Sequence, residues 1–197
     1  MDFNDIKNRM ERIYASLKER ADYDLQKGIL AEVSHTPSEV GIKVNFGTRS
    51  EGEILNKIFI ILYNIASLKD HLKNALKQTG KDENIVETAI NSSPHLSVLI
   101  DLVNQEKHEY PLTKYIRSHK SPILRNVRES LRISTGKGSS GASFVLDPRT
   151  MMFKSEGDNA IVINADIFDD KNNKLFPLDE LIEKSLEPLE EIVRKHL

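Results

Sequence analysis

The stretch Pro94 to Tyr110, reading P-H-L-S-V-L-I-D-L-V-N-Q-E-K-H-E-Y, decides how the chain is read. Ser93 followed by Pro94 is an N-cap and first-turn pair, so a helix starts there, and Pro111 stops it near Glu109. Leu96, Leu99, Ile100 and Val103 make an apolar stripe along it. Asp101, Asn104 and His108 stand at the i, i+3, i+7 spacing of a second stripe, which is polar. A polar stripe on a short apolar helix either faces water or meets polar groups from another helix.

The sequence offers such a helix. Ser50 and Glu53 form a capping box that opens a long helix over about Glu51 to Gln78, and Gly80 ends it. Its apolar positions, among them Ile54, Ile58, Ile61, Ile65, Leu68 and Leu72, are dense enough for the centre of a bundle. It also carries Asn64, Ser67 and His71 at i, i+3, i+7, with Asp70 adjacent. A short helix over Asp82 to Ile90 joins the two, so antiparallel packing would let their polar stripes converge into a pocket of imidazoles, amides and carboxylates. The alternative is that Asn64 and Asn104 are structural bridges between helices, with Asp70, Lys73 and Lys107 in solvent.

The segment Asn104 to Tyr110 resembles the motif of HEPN proteins, a group of small helical domains that includes metal-independent ribonucleases and toxin components. Asn104, His108 and Tyr110 match it, and Val103 stands where the family has arginine. The resemblance implies a helical core, a homodimer with Asn104 to Tyr110 near its interface, and His108 and Asn104 as the catalytic positions. The departure at Val103 removes the group that binds or polarises phosphate. The chain is also similar to small uncharacterised bacterial proteins with an S-L-x-D-H-L helix (Ser67 to Leu72), an N-x-x-K-H segment (Asn104 to His108) and a C-terminal β-sheet, which implies a fold and no activity.

Outside the helical centre, residues 2 to 19 form an amphipathic helix with Ile6, Met10, Ile13 and Leu17 on one stripe. Ile29 to Val33 and the alternating Ile42, Val44 and Phe46 predict a hairpin with its loop at His35 to Glu39. Beyond Pro122 the pattern turns to strands, at Val127 to Ser134, Ala142 to Leu146, Met151 to Lys154 and Ala160 to Phe168, with a turn at Asp169 to Asn173. A last amphipathic helix runs from Leu178 to about His196, bent or split at Pro188. The fold class is therefore α+β: a helical bundle of HEPN-like character over residues 1–120, then an antiparallel sheet covered by a C-terminal helix over residues 121–197.

The 197 residues suffice for one large domain or a helical domain with an appended sheet. With no cysteine, disulfides and thiolate metal sites are excluded. No apolar run approaches the ~20 residues that span a bilayer. The opening M-D-F-N-D-I-K has no basic, then apolar, signal pattern, so a cytoplasmic protein is expected. The net charge of -2 conceals a segregation. Lys114, Arg117, Lys120, Arg125, Arg128, Arg132 and Lys137 are opposed only by Glu129, whereas Glu156 to Glu191 is mainly acidic. The basic stretch is either a phosphate-binding footprint or the internal counterweight of the acidic one.

Other chemistries fare worse. Asp70, His71, Asp101 and His108 are acceptable metal ligands, but neither of their helices carries H-E-x-x-H or E-x-x-H, and adjacent helical residues point about 100° apart. No metal and no cofactor is expected. Thr135 to Gly141, T-G-K-G-S-S-G, lacks the order of a phosphate loop and joins strands. His35, His95, His119 and His196 have no site-forming spacing. The expected site is His108 and Asn104 as catalytic groups, with Asp101, Lys107, Tyr110, Asn64, Ser67, His71, Arg125, Arg128 and Arg132 as binding groups. The function expected is an RNA-interacting HEPN-like protein of a bacterial defence or toxin–antitoxin type, a metal-independent ribonuclease if catalytic. The other class is a non-catalytic homodimeric scaffold, which the missing arginine favours. RNA and a second copy are the expected partners, and no membrane.

Overall fold

Ser50 and Glu53 cap each other: the Ser50 amide donates to Glu53 Oε2 at 2.7 Å and the Glu53 amide to Ser50 Oγ at 3.3 Å. In the computed structural model these bonds open the longest helix, and reciprocal satisfaction of two orphan amides is why it starts there. The helix ends in a Schellman turn. Gly80 takes φ +69°, and the amides of Lys81 and Gly80 reach the carbonyls of Leu76 and Lys77. A side chain at position 80 would strain this backbone.

The structure describes residues 3–17, 23–24, 29–36, 39–46, 50–108, 116–133, 143–147, 149, 152–156 and 159–197. Their elements run α1 (Phe3–Leu17), β1 (Tyr23–Asp24), β2 (Ile29–Thr36), β3 (Glu39–Phe46), α2 (Glu51–Gln78), α3 (Asn84–Ser92), α4 (Pro94–His108), β4 (Ile123–Ile133), β5 (Ser143–Asp147), β6 (Met152–Glu156), β7 (Asn159–Phe168), β8 (Lys174–Pro177) and α5 (Leu178–His196). The class is α+β. Two compact units share the chain, one made of Met1–Leu17, Asn56–Val127 and Asn164–Leu197, the other of Lys18–Leu55 and Arg128–Ile163.

The first unit is mainly helical. Ser93 serves both ends of a tight junction there: its amide donates to the carbonyls of Ala89 and Ile90, closing α3, while its hydroxyl accepts from the Leu96 amide at 3.2 Å, opening α4. α4 packs on α3 and α5, and α5 packs on α3 and β8. Leu62, Ile65, Leu72 and Leu76 of α2, Ile90 of α3, Leu99 of α4 and Leu181 of α5 are all fully buried, so the core lies among these helices. α1 buries Ile6 and Ile13, and its Tyr14 hydroxyl donates to Glu190 of α5. α5 runs unbroken from Leu178 to His196 through Pro188. The sheet of this unit has the order β4, β7, β8, with β7 and β8 antiparallel. Asp169 builds the turn between them: its Oδ1 accepts from the amides of Lys171 and Asn173, and its Oδ2 from the Asn173 side chain. These bonds, with the Asn173 side chain the largest cause, hold the Asp169 carboxyl below its ordinary value.

In the second unit β2 and β3 pair antiparallel from Ile29↔Phe46 to Thr36↔Glu39, so the strands extend into the region expected as loop. A second sheet there has the order β1, β6, β5. Neither β1, at two residues, nor β8, at four, is long enough to show a period in sequence. Among the described residues no helix is long and apolar enough to cross a membrane.

Candidate functional site

All eight residues from Leu96 to Val103 are buried, so the middle of α4 is enclosed on every side. Its second stripe consequently does not form one polar face. It runs outward along the helix, from Asp101 with no exposure, through half-buried Asn104, to exposed His108. Val103 is 5% exposed and belongs to the core.

Asp101 is the best-built polar group of this helix. Its Oδ1 accepts from the Arg117 amide at 3.1 Å, and its Oδ2 from the Ser118 amide at 2.8 Å and the Ser118 hydroxyl at 2.6 Å. Three donors satisfy a carboxylate that burial would otherwise penalise. The segment they come from, residues 117–120, bends through His119 at φ 54°. Ser118 Oγ closes that bend further by accepting from the Lys120 amide.

The same segment sends Arg117 to α3. Its Nη1 donates to Glu87 Oε2 at 2.6 Å and to Asn91 Oδ1 at 3.3 Å. Glu87 also takes the Lys73 ammonium of α2. The hydrogen bond from Arg117, then that from Lys73, push the Glu87 carboxyl down to about 2. Asp101, Ser118, Arg117, Glu87 and Lys73 thus tie α4, the 117–120 bend, α3 and α2 together. The sequence pattern singles out neither Glu87 nor Ser118, and Lys73, solvated in the alternative where Asn64 and Asn104 are structural bridges, is instead paired with Glu87. Only the spacing of opposite charges across two helices and the 117–120 bend could suggest Glu87, and nothing local singles out Ser118.

The expected partners on α2 are disposed differently from one another. Asn64 is exposed, and Ser67 donates to the Asn64 carbonyl at 2.8 Å, a bond within its own helix. His71 is half-buried. Asp70 accepts from Lys69 at 2.9 Å and points to solvent, as does Lys107. One link between α2 and α4 is electrostatic: desolvation first, then the charge of Glu106, raise the Tyr63 phenol. Asp101 meets the 117–118 backbone from the buried middle of α4.

The described basic residues are engaged at several internal contacts. Arg125 donates to Asn172 Oδ1 at 2.7 Å and lies 5.7 Å from the Phe168 ring centre. Beside it Asn126, in the left-handed region at φ 55°, donates to Asp166, which also pairs with Lys174. Lys120 contributes to holding Asp169 ionised. Arg128 is exposed. Tyr110 and the side chain of Arg132 lie outside the described residues, as does the Thr135 to Gly141 loop.

Two histidines given no role by their spacing join elements together. His95 of α4 stacks on Phe176 of β8, ring centres 4.0 Å apart, and its Nε2 lies 3.2 Å from Glu180 of α5. His196 offers its carbonyl to Lys81, a cation at the C-terminal end of α5 where it offsets the helix dipole. Among the described residues, no three His, Cys, Asp or Glu side chains are grouped to hold a metal ion. Compared with known proteins, the chain matches no family model, no curated sequence and no solved structure.

Proposed function

We infer that the chain is a non-catalytic interaction module acting as a cytoplasmic homodimer. The supporting observation is the inward commitment of α4. Asp101 is spent on the 117–118 backbone, Arg117 on Glu87, and Val103 on the core. A transition-state anion needs donors aimed at it, and loss of one such group typically costs ~2.7 to 4 kcal/mol of catalysis. The polar groups of α4 then act by fixing how the bends and helices pack, and the surface they support meets a partner.

A second reading keeps RNA as the partner, in the HEPN-like sense of a defence or toxin–antitoxin ribonuclease. Lys107 and His108 are exposed on the last turn of α4 with Asn104 beside them. In that reading His108 moves a proton near neutral pH and phosphates meet the cations, without metal.

Incubation of the purified chain with single-stranded and structured RNA in EDTA, at two salt concentrations, tests between them. The interaction-module reading expects no cleavage, no salt-sensitive RNA binding, and loss of nothing but stability or association in His108→Ala. Cleavage abolished by His108→Ala in a variant that still folds would overturn it in favour of RNA chemistry.

A further inference from the structure

A groove of about 310 Å³ runs between α3 and α5. From α3 it takes Ile85, Thr88, Ala89 and Ser92, the i, i+3, i+4, i+7 stripe of one helix face. From α5 it takes Pro188, Glu191, Ile192 and Lys195 at the same spacing. The Lys81 to His196 contact places the start of α3 beside the end of α5, so the two stripes lie antiparallel and form a trough two turns long. That is a shape into which a helix packs. Its floor is apolar, with Ile192 buried and Ile85, Ala89 and Pro188 half-buried, and small side chains on α3 leave room for close approach. Its rim is charged: Glu191 and Lys195 pair with each other, and their side chains remain 49% and 58% exposed.

We propose that this groove is the face through which two copies of the chain associate, the last turns of α5 from each copy crossing antiparallel over the two-fold axis. Charge selects the occupant. Glu191 and Lys195 stand one turn apart on the same face with opposite signs, so a two-fold centred between them sets Glu191 against Lys195 of the second copy, and Lys195 against its Glu191. An isologous contact requires this reciprocity, in which residue i meets j and j meets i. The surface contributed by each copy is short, two turns from each of two helices. The dimer is therefore a small-interface, concentration-dependent one, with a Kd on the order of micromolar. The proposal rests on the homodimeric reading above and names the surface it uses.

Sedimentation equilibrium of the full chain from about 5 to about 300 micromolar, a range bracketing that affinity, tests it with Glu191→Lys, Lys195→Glu and the double exchange E191K/K195E. Both positions are exposed, and circular dichroism of each variant verifies the fold. The wild type should dimerise across the range. Each single reversal should weaken association by tenfold or more, because like charges then meet across the axis. An equimolar mixture of the two single variants, and the double exchange alone, should both recover it. A wild type monomeric throughout would overturn this proposal and the homodimeric reading together. Dimerisation unmoved by the single reversals, or no recovery in the mixture, would overturn this face alone and leave a dimer built elsewhere, for instance on the exposed Ile60 and Tyr63 of α2.

Discussion

The Asp101 carboxylate accepts the Ser118 hydroxyl at 2.6 Å, and this contact between α4 and the 117–120 bend lies where Asp101 has no solvent exposure. Asp101→Asn removes the charge and replaces one acceptor oxygen with an NH2 that faces a backbone N–H. It should destabilise the fold by about 2 to 4 kcal/mol, against about 1 kcal/mol for Ser118→Ala, which leaves two backbone donors in place. Urea unfolding measures both, and the double variant should fall short of the sum because the groups share one network. Equal small effects from the two substitutions would mean that the backbone bonds at Asp101 contribute little.

Glu87 makes stability depend on acid pH. Its carboxyl lies at about 2 in the folded chain against an ordinary 4.5. The unfolded chain therefore binds the proton more readily, and the stabilisation present above about 4.5 is lost as pH falls toward about 2. The side chain is 30% exposed, so solvent screening keeps the effect near 1 kcal/mol. Urea midpoints of the wild type and Glu87→Gln should stand apart at pH 7 and converge across that window. A gap that stays constant down to pH 2 would assign the difference to packing and not to charge.

Val103 takes the place of an arginine only in the resemblance to the HEPN motif, and it is 5% exposed. Val103→Arg should put an unpaired guanidinium into the core and lower stability by more than about 3 kcal/mol. The interaction-module reading expects no metal-independent RNA cleavage from it. A folded Val103→Arg chain that cleaves RNA in EDTA would instead point to a degenerate nuclease site.

Ser185 interrupts the apolar stripe of α5 and is fully buried, with no hydrogen-bond partner for its hydroxyl among the described residues. Ser185→Ala removes that desolvated group and adds helix propensity, so it should raise stability by about 1 kcal/mol. Thermal unfolding would show the gain as a higher Tm. A loss on substitution would reveal that the hydroxyl has a partner, such as a buried water.

Local signals were legible wherever the bonds that express them close over a few residues. The Ser50 and Glu53 box spans three residues, the Gly80 stop five, and the Ser93 cap of α4 three, so each is readable from spacing alone. The alternation of Ile42, Val44 and Phe46 marks a strand, and Asp169 to Asn173 marks the turn between β7 and β8, for the same reason. On α4 the spacing of Asp101, Asn104 and His108 was legible, but their shared role was not, because burial divides the stripe between core and surface.

From the sequence alone came the α+β class, the helix boundaries set by caps and stops, and the identity of the polar groups on α4, since these depend on neighbours a turn or two away. Tertiary structure alone decided what those groups do. Asp101 meets donors sixteen and seventeen residues on, Glu87 joins a lysine fourteen residues back and an arginine thirty residues on, and the short strands β1 and β8 exist only by pairing with β6 and β7. Such contacts form only once packing brings distant segments together, and the entropy of closing those loops is met by the buried helices around them, which no local pattern encodes.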